Sequence, residues 1–171
     1  MSPLVELGSS RIHGTGVFAT EPVGPETRLC RYGGYLMDNA LFQLEVMSGR
    51  LDPALCDYRL SHPLQEGRVV VGHLTPRSPE AVGQFINDGH RPRIFEEEMC
   101  RPRSGGLPYF RQELSDYQRR SEQARNVFFR PEGDSLVCYS RRRLGRGEEL
   151  LYTYGIDYWV EKFQQAEGAV Y

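Results

Sequence analysis

Glycines and prolines interrupt this chain so often that its strands and helices must be short. The 18 glycines and 11 prolines separate brief runs of strand-forming residues. Helical patterns are few: they include residues 38–48, which Gly49 follows, and a polar stretch at residues 112–124. The sequence therefore predicts a mainly β domain with few short helices. We expect strands at residues 5–7, 17–19, 28–32, 35–37, 56–60, 68–71, 126–130 and 135–140.

The length of 171 residues suits one domain with a sizeable core and is too short for two ordinary domains. Residues 91–125 differ in composition from the rest, because they combine several prolines with an acidic run and a polar stretch. This difference predicts an insertion carried on the surface of the domain. The aromatic residues after Gly155 predict a short helix at residues 156–166. We expect a single domain over residues 1–171.

Composition excludes several classes of protein. A hydrophobic fraction of 39% and a net charge of −2 indicate a soluble globular chain, neither disordered nor strongly basic. No apolar run has the length of a signal peptide core or of a membrane span. The arginines at positions 141, 142, 143 and 146 suggest either a solvated turn or a contact to phosphate. The acidic residues elsewhere in the chain make the solvated turn the preferred interpretation. We expect no membrane and no direct nucleic-acid partner.

The four cysteines are too far apart to indicate a metal site. Cys30, Cys56, Cys100 and Cys138 form no CxxC pair, and no histidine lies at ligand spacing from them. We therefore expect no bound metal. Scattered cysteines of this kind are typical of buried, reduced thiols in an intracellular protein of the nucleus or cytoplasm.

Residues 147–159, GEELLYTYGIDYW, combine a strand pattern with a glycine break and an aromatic tail. If the first part is extended, Tyr152 and Tyr154 lie on the same face. Phenols at the end of a strand beside Gly155 suit a site that positions a polar substrate group. The alternative is an ordinary buried strand that ends in a tyrosine.

Two other segments contain candidate binding residues. The loop at residues 8–16, GSSRIHGTG, places Gly14 and Gly16 where a backbone can approach a ligand closely, although a hairpin turn explains the same pattern. The segment at residues 81–90 runs from apolar residues into Asn87 and Asp88. These two side chains either cap a turn or bind a small ligand, for which Asn87 offers both donors and acceptors.

Taken in order, these segments resemble the SET domain of protein lysine methyltransferases. The resemblance covers almost the whole chain, and its last motif is also similar to the PR-type branch, some of whose members bind partners without methylating them. Departures occur at Gln84, where the family has arginine, at Asp88, where it has histidine, and at Tyr35, where it has an acid. The motifs are RIHGTGVFA (residues 11–19), CRYGGYLM (30–37), DYRL (57–60), GQFINDG (83–89) and GEELLYTYG (147–155).

The resemblance implies a fold of small curled sheets in which the C-terminal motif threads through a loop and forms a knot-like site. S-adenosylmethionine would enter on one face and the substrate lysine on the other. Tyr154 matches the catalytic tyrosine, and Tyr58 and Tyr152 would line the lysine channel. Trp159 would cover the cofactor or the channel mouth, or is instead a helix residue packed on the core. The remaining residues implied to hold the cofactor are His13, Gly14, Thr15, Gly16, Asn87 and Asp88.

The resemblance thus implies methyl transfer to the ε-amine of a lysine in a protein or peptide, of which a histone tail in chromatin is one candidate. The reaction requires alignment of nitrogen, methyl carbon and sulfur, and it requires a neutral amine. Tyrosine walls provide an apolar channel that favours loss of the lysine proton. The alternative function is a catalytically silent SET- or PR-like module that binds a peptide or a partner protein.

Overall fold

The computed structural model describes residues 3–92 and 106–168, with side chains in the second range described from 111 to 162. The described chain is mainly β, built from small sheets, mostly antiparallel, with few helices, as the sequence predicts. It divides into two compact units. The first unit comprises Met1–Ile86 and Asn126–Leu150, and the second comprises Asn87–Arg125 and Leu151–Tyr171.

The N-terminal hairpin of the first unit contains the loop with the paired glycines. Strands β1 (Val5–Ser9) and β2 (Thr15–Ala19) are antiparallel, with Gly8 opposite Gly16. Backbone hydrogen bonds also join β2 to the start of the C-terminal motif. Ala19 bonds to Gly147 and Glu148, and the Leu150 N–H donates to the Val17 carbonyl. The start of the C-terminal motif therefore lies beside β2, where it forms an isolated bridge between Glu149 and Phe18 rather than a strand.

A second sheet of this unit has the order β3-β9-β8. Its strands are β3 (Arg28–Arg31), β8 (Val127–Glu132) and β9 (Ser135–Ser140). The strands predicted at residues 126–130 and 135–140 are confirmed; they form an antiparallel hairpin, and Gly133 at its turn has a φ of 61°. That value lies in the region that glycine adopts without steric cost.

The third sheet has β6 (Arg68–Gly72) between β4 (Gly34–Asp38) and β5 (Arg59–Ser61). On one face Val69 and Val71 pack against Phe42 of helix α1 (Asn39–Met47), while on the other face Val70 packs with Tyr32 and Leu136. A strand buried on both faces explains its continuous apolar run. The side chain of Asp38 caps α1 by accepting the Leu41 N–H.

The strand predicted at residues 56–60 is wrong in its first half. Residues Pro53–Tyr58 form a 3₁₀ helix, and β5 begins only at Arg59. The side chain of Asp52 accepts the N–H of Ala54, and Pro53 supplies a fixed φ at the first helical position. This start signal prevails over the weak strand preference of the residues that follow.

The cysteines of the described chain are free thiols. Cys30 on β3 and Cys138 on β9 are buried cross-strand partners, while Cys56 is half-buried. Burial, followed by the contact with Cys30, raises the pKa of the Cys138 thiol well above its usual value. Cys100 lies outside the described residues.

The second unit contains the short parallel pair β7 (Asn87–Asp88) and β10 (Leu151–Tyr152), with helices α2 (Gly106–Ala124) and α3 (Ile156–Gly168). Helix α2 begins earlier than the polar stretch at residues 112–124 suggests. Of the predicted insertion, residues 93–105 lie outside the described chain. Among the described helices, none is both long enough and apolar enough to cross a membrane.

Candidate functional site

The carboxylate of Asp88 is the centre of the hydrogen bonding in the second unit. The residue is only 4% exposed, so its carboxylate oxygens require hydrogen-bond donors from the protein. Among the described residues, five donors from three parts of the unit bond to this carboxylate, so a buried acid is well supplied with hydrogen bonds. These donors are the His90 N–H (3.2 Å), the Ser121 hydroxyl, the Tyr117 hydroxyl (2.5 Å), the Tyr154 N–H (3.0 Å) and the Trp159 Nε1–H (3.1 Å).

Helix α2 presents its two donors on one face. Tyr117 and Ser121 are four residues apart, so they lie one above the other on the helix surface, and both are buried. Gly89 lets the chain after Asp88 approach this face, since a Cβ at that position would lie 2.8 Å from the Cβ of Ala124. A larger residue at position 89 would push the Asp88 segment away from the helix.

The phenol of Tyr117 links Asp88 to the end of the C-terminal motif. Its oxygen donates to Asp88, lies 3.4 Å from the Thr153 hydroxyl and accepts the Gly155 N–H at 3.1 Å. Burial, followed by the charge of Asp88 and the hydrogen bond to it, raises the pKa of Tyr117 to about 12. The phenol therefore keeps its proton, and remains a donor to Asp88, throughout the neutral range.

Tyr154 lies at the start of an aromatic cluster. Its ring is stacked at 20° to Trp159, with centroids 6.4 Å apart, and meets Tyr158 edge-on at 4.9 Å. The break predicted at Gly155 is confirmed, because this residue has a φ of 88° and α3 begins directly after it. The break turns the chain from β10 into α3, so that Tyr154, Tyr158 and Trp159 meet.

The second unit brings together five residues of the predicted site. Asn87 is paired with Leu151 and Asp88 with Tyr152, and the Gly89 N–H bonds to the Tyr152 carbonyl at 2.8 Å. Tyr152 and Tyr154 are half-buried, whereas Trp159 is only 8% exposed. Two motifs that are more than 60 residues apart in sequence are thus hydrogen-bonded to each other.

Four predicted cofactor residues lie in the first unit, at residues 13–16, where the hairpin loop continues into β2. Ser10 shapes this loop, because its hydroxyl accepts the Ile12 and His13 N–H groups and its own N–H donates to the Gly14 carbonyl. Gly14 has a φ of 50°, and no atom of the described residues lies within 4 Å of the position that a Cβ would occupy. The backbone at Gly14 is therefore open to a ligand.

Gly16 has a different function in the same loop. A Cβ there would lie 2.4 Å from Oε1 of Glu149 and 3.1 Å from the Cβ of Ser10, so this glycine allows close packing. Thr15 is exposed and begins β2. The last predicted site residue of this unit, Tyr58, is half-buried at the end of the 3₁₀ helix and meets the ring of Phe85 edge-on at 5.8 Å.

Sequence reasoning missed the contribution of Gln84, which stands where the resembled family has arginine. The side chain is 5% exposed, and its Oε1 accepts the Gly33 N–H at 2.9 Å while its Nε2 donates to the His73 carbonyl at 3.3 Å. The Gln84 side chain thus connects its own segment to those that contain Gly33 and His73. Tyr117 and Ser121 were also missed, because nothing in a polar helix pattern indicates which residues meet a distant carboxylate.

Comparisons with known proteins supply no family for this chain. No protein-family model matches it, and a search of curated proteins finds no match.

Proposed function

We propose that this protein is an S-adenosylmethionine-dependent protein lysine N-methyltransferase in which Tyr154 is the catalytic tyrosine. The observation that carries the proposal is the parallel pairing of Leu151 and Tyr152 with Asn87 and Asp88. These residues belong to two of the segments that resemble SET-domain motifs, and the Tyr154 N–H is bonded to the Asp88 side chain of the other segment. The knot-like threading expected of that fold is part of the proposal.

The loop at residues 13–16 fits a bound cofactor in one respect. Gly14 has a positive φ and open space at its missing Cβ, so a ligand can approach the chain closely at this residue. We assign His13, Gly14, Thr15 and Gly16, together with Asn87, to S-adenosylmethionine. When bound, this cofactor supplies an electrophilic methyl group.

The tyrosines contribute positioning and exclusion of water. The Tyr154 phenol orients the lysine nitrogen without adding a charge, and Tyr58 and Tyr152 line the lysine channel. A lysine amine in water has a pKa of about 10.4, so it is almost entirely protonated and cannot act as a nucleophile. Aromatic walls would disfavour the ammonium form, so the amine would lose its proton to water and present a neutral nitrogen with a free lone pair.

A silent binding module is the second candidate, and one observation favours it. Asp88 and Trp159, which the resemblance assigns to the cofactor, are joined by a hydrogen bond within the chain, and both are buried. Both side chains therefore have a structural explanation that needs no cofactor. A module of this kind would bind a lysine-containing or other peptide and transfer nothing.

The test is transfer of a labelled methyl group from S-adenosylmethionine to lysine-containing proteins, histones included. We expect the parent protein to label a substrate and Tyr154→Phe to lower turnover about 100-fold, because a misplaced nitrogen loses alignment. Cofactor affinity should change little. Both proteins carry Lys162→Arg, which removes the only lysine of the chain and any self-labelling. Equal turnover would remove Tyr154 from the mechanism.

A further inference from the structure

The backbone around Tyr154 is held by side-chain groups rather than by a sheet. Strand β10 ends at Tyr152, yet the N–H groups of both Tyr154 and Gly155 are bonded, to Asp88 at 3.0 Å and to the Tyr117 hydroxyl at 3.1 Å. The same hydroxyl is bonded to Asp88. Two consecutive backbone amides are therefore fixed by one pair of buried side chains.

The geometry of this pair limits where the Tyr154 ring can lie. The Asp88 carboxylate also accepts the Trp159 indole N–H, and the Trp159 ring stacks on Tyr154. Tyr117 meets Trp159 edge-on, with ring centroids 5.8 Å apart. Backbone and ring of Tyr154 are thus both constrained by groups that Asp88 and Tyr117 hold in place.

We infer that Tyr117 of α2 and Asp88 are positioning residues that fix the backbone at residues 153–155 and thereby the Tyr154 ring. The inference rests on the proposed function for its catalytic consequence only. It makes helix α2, which belongs to the segment predicted as a surface insertion, part of the machinery that orients the substrate amine. Asp88, at first a departure from the resembled motif, becomes the acceptor that this arrangement requires.

Amide exchange by NMR tests the positioning without any substrate. In Tyr117→Phe the ring stays and the hydroxyl is lost, so we expect the Gly155 N–H to exchange with solvent about tenfold faster, as for the loss of one hydrogen bond. Trp159 is the only tryptophan, and its single indole N–H signal should shift in the same variant because Asp88 loses a donor. The matched control is Tyr139→Phe, which removes a phenol that donates to Glu132 at 2.5 Å in the first unit.

Unchanged Gly155 exchange and an unchanged indole signal in Tyr117→Phe would overturn the inference, as would equal changes in Tyr139→Phe. Asp88→Asn should move the indole signal further. If that variant does not fold, Tyr117→Phe decides alone, since it leaves every other donor to Asp88 in place.

The catalytic consequence has its own measurement. We expect Tyr117→Phe to lower kcat about tenfold while KM for S-adenosylmethionine stays the same, a split that general destabilisation would not produce. Equal kcat values would overturn the catalytic role of Tyr117. If the parent protein transfers no methyl group, the proposed function fails, and the NMR experiment still decides whether Tyr117 and Asp88 position residues 153–155.

Discussion

At the scale of single residues, Gln84 and Asp88 are each used to satisfy backbone groups that the chain buries. Gln84 accepts the Gly33 N–H, and Asp88 accepts the N–H groups of His90 and Tyr154. A buried N–H without an acceptor costs free energy, so both side chains stabilise the fold directly. Their departure from the resembled motif therefore has a structural cause that is independent of catalysis.

Replacing Gln84 by alanine should destabilise the first unit. The Gly33 N–H would lose its acceptor in a buried place, which corresponds to about 2 kcal/mol in the free energy of unfolding. Chemical denaturation measures the change. The control is Gln65→Ala, since Gln65 donates to Asp134 at the surface and its loss should cost under about 0.5 kcal/mol. Similar losses in the two variants would show that the Gln84 hydrogen bonds contribute little.

Tyr117 should make stability depend on pH in the alkaline range. Its pKa is about 12 in the folded chain, against about 10 for an unfolded tyrosine. Between these values the unfolded chain releases the proton and the folded chain keeps it, so the stabilisation present below about pH 10 is lost as the pH rises to about 12. Denaturation experiments across this range should show that the free energy of unfolding falls less in Tyr117→Phe than in the parent protein. An equal fall in the two proteins would contradict the burial of this phenol.

At the scale of elements, the glycines at the start of β4 allow two strands to approach each other. A Cβ on Gly34 would lie 2.1 Å from the Val71 carbonyl oxygen, and that oxygen belongs to the backbone of the central strand β6. Backbone cannot rotate away as the end of a flexible side chain can. The pairing of β4 with β6 thus requires glycine at position 34.

Gly34→Ala should therefore weaken this sheet. We expect a loss of about 3 kcal/mol in the free energy of unfolding, because the added methyl group displaces one strand from the other. Thermal and chemical denaturation both measure it. Gly145→Ala is the matched control, since its nearest atom would be a Glu148 side-chain oxygen at 3.9 Å. A Gly34→Ala protein as stable as the control would contradict the close strand pairing.

Elements were predictable where local pattern and burial agree. The valine run of β6 and the strands β8 and β9 are confirmed. Successive residues of a strand point to opposite faces, and the valines of β6 pack against apolar residues on both faces of their sheet. The strand prediction fails at residues 56–58, because Asp52 and Pro53 begin a 3₁₀ helix whose cap outweighs the weak strand preference of these residues. The first turn of α2 was missed because Gly106 and Pro108 disfavour helix in isolation.

At the scale of the whole molecule, the sequence predicts the mainly β class, and it does not predict the partners of buried polar groups. The resemblance implies that residues 83–89 and 147–155 contribute to one site, and in the second unit Asn87 and Asp88 pair with Leu151 and Tyr152. The convergence of α2 donors on Asp88 depends on contacts between residues about 30 apart and has no local signature.

The most direct test of the methyltransferase proposal is calorimetric titration of the purified protein with S-adenosylmethionine. We predict saturable binding in the micromolar range, on the order of −8 kcal/mol, weakened about tenfold in Asn87→Ala. No detectable binding by the folded parent protein would contradict the enzyme proposal and leave the silent binding module as the better explanation.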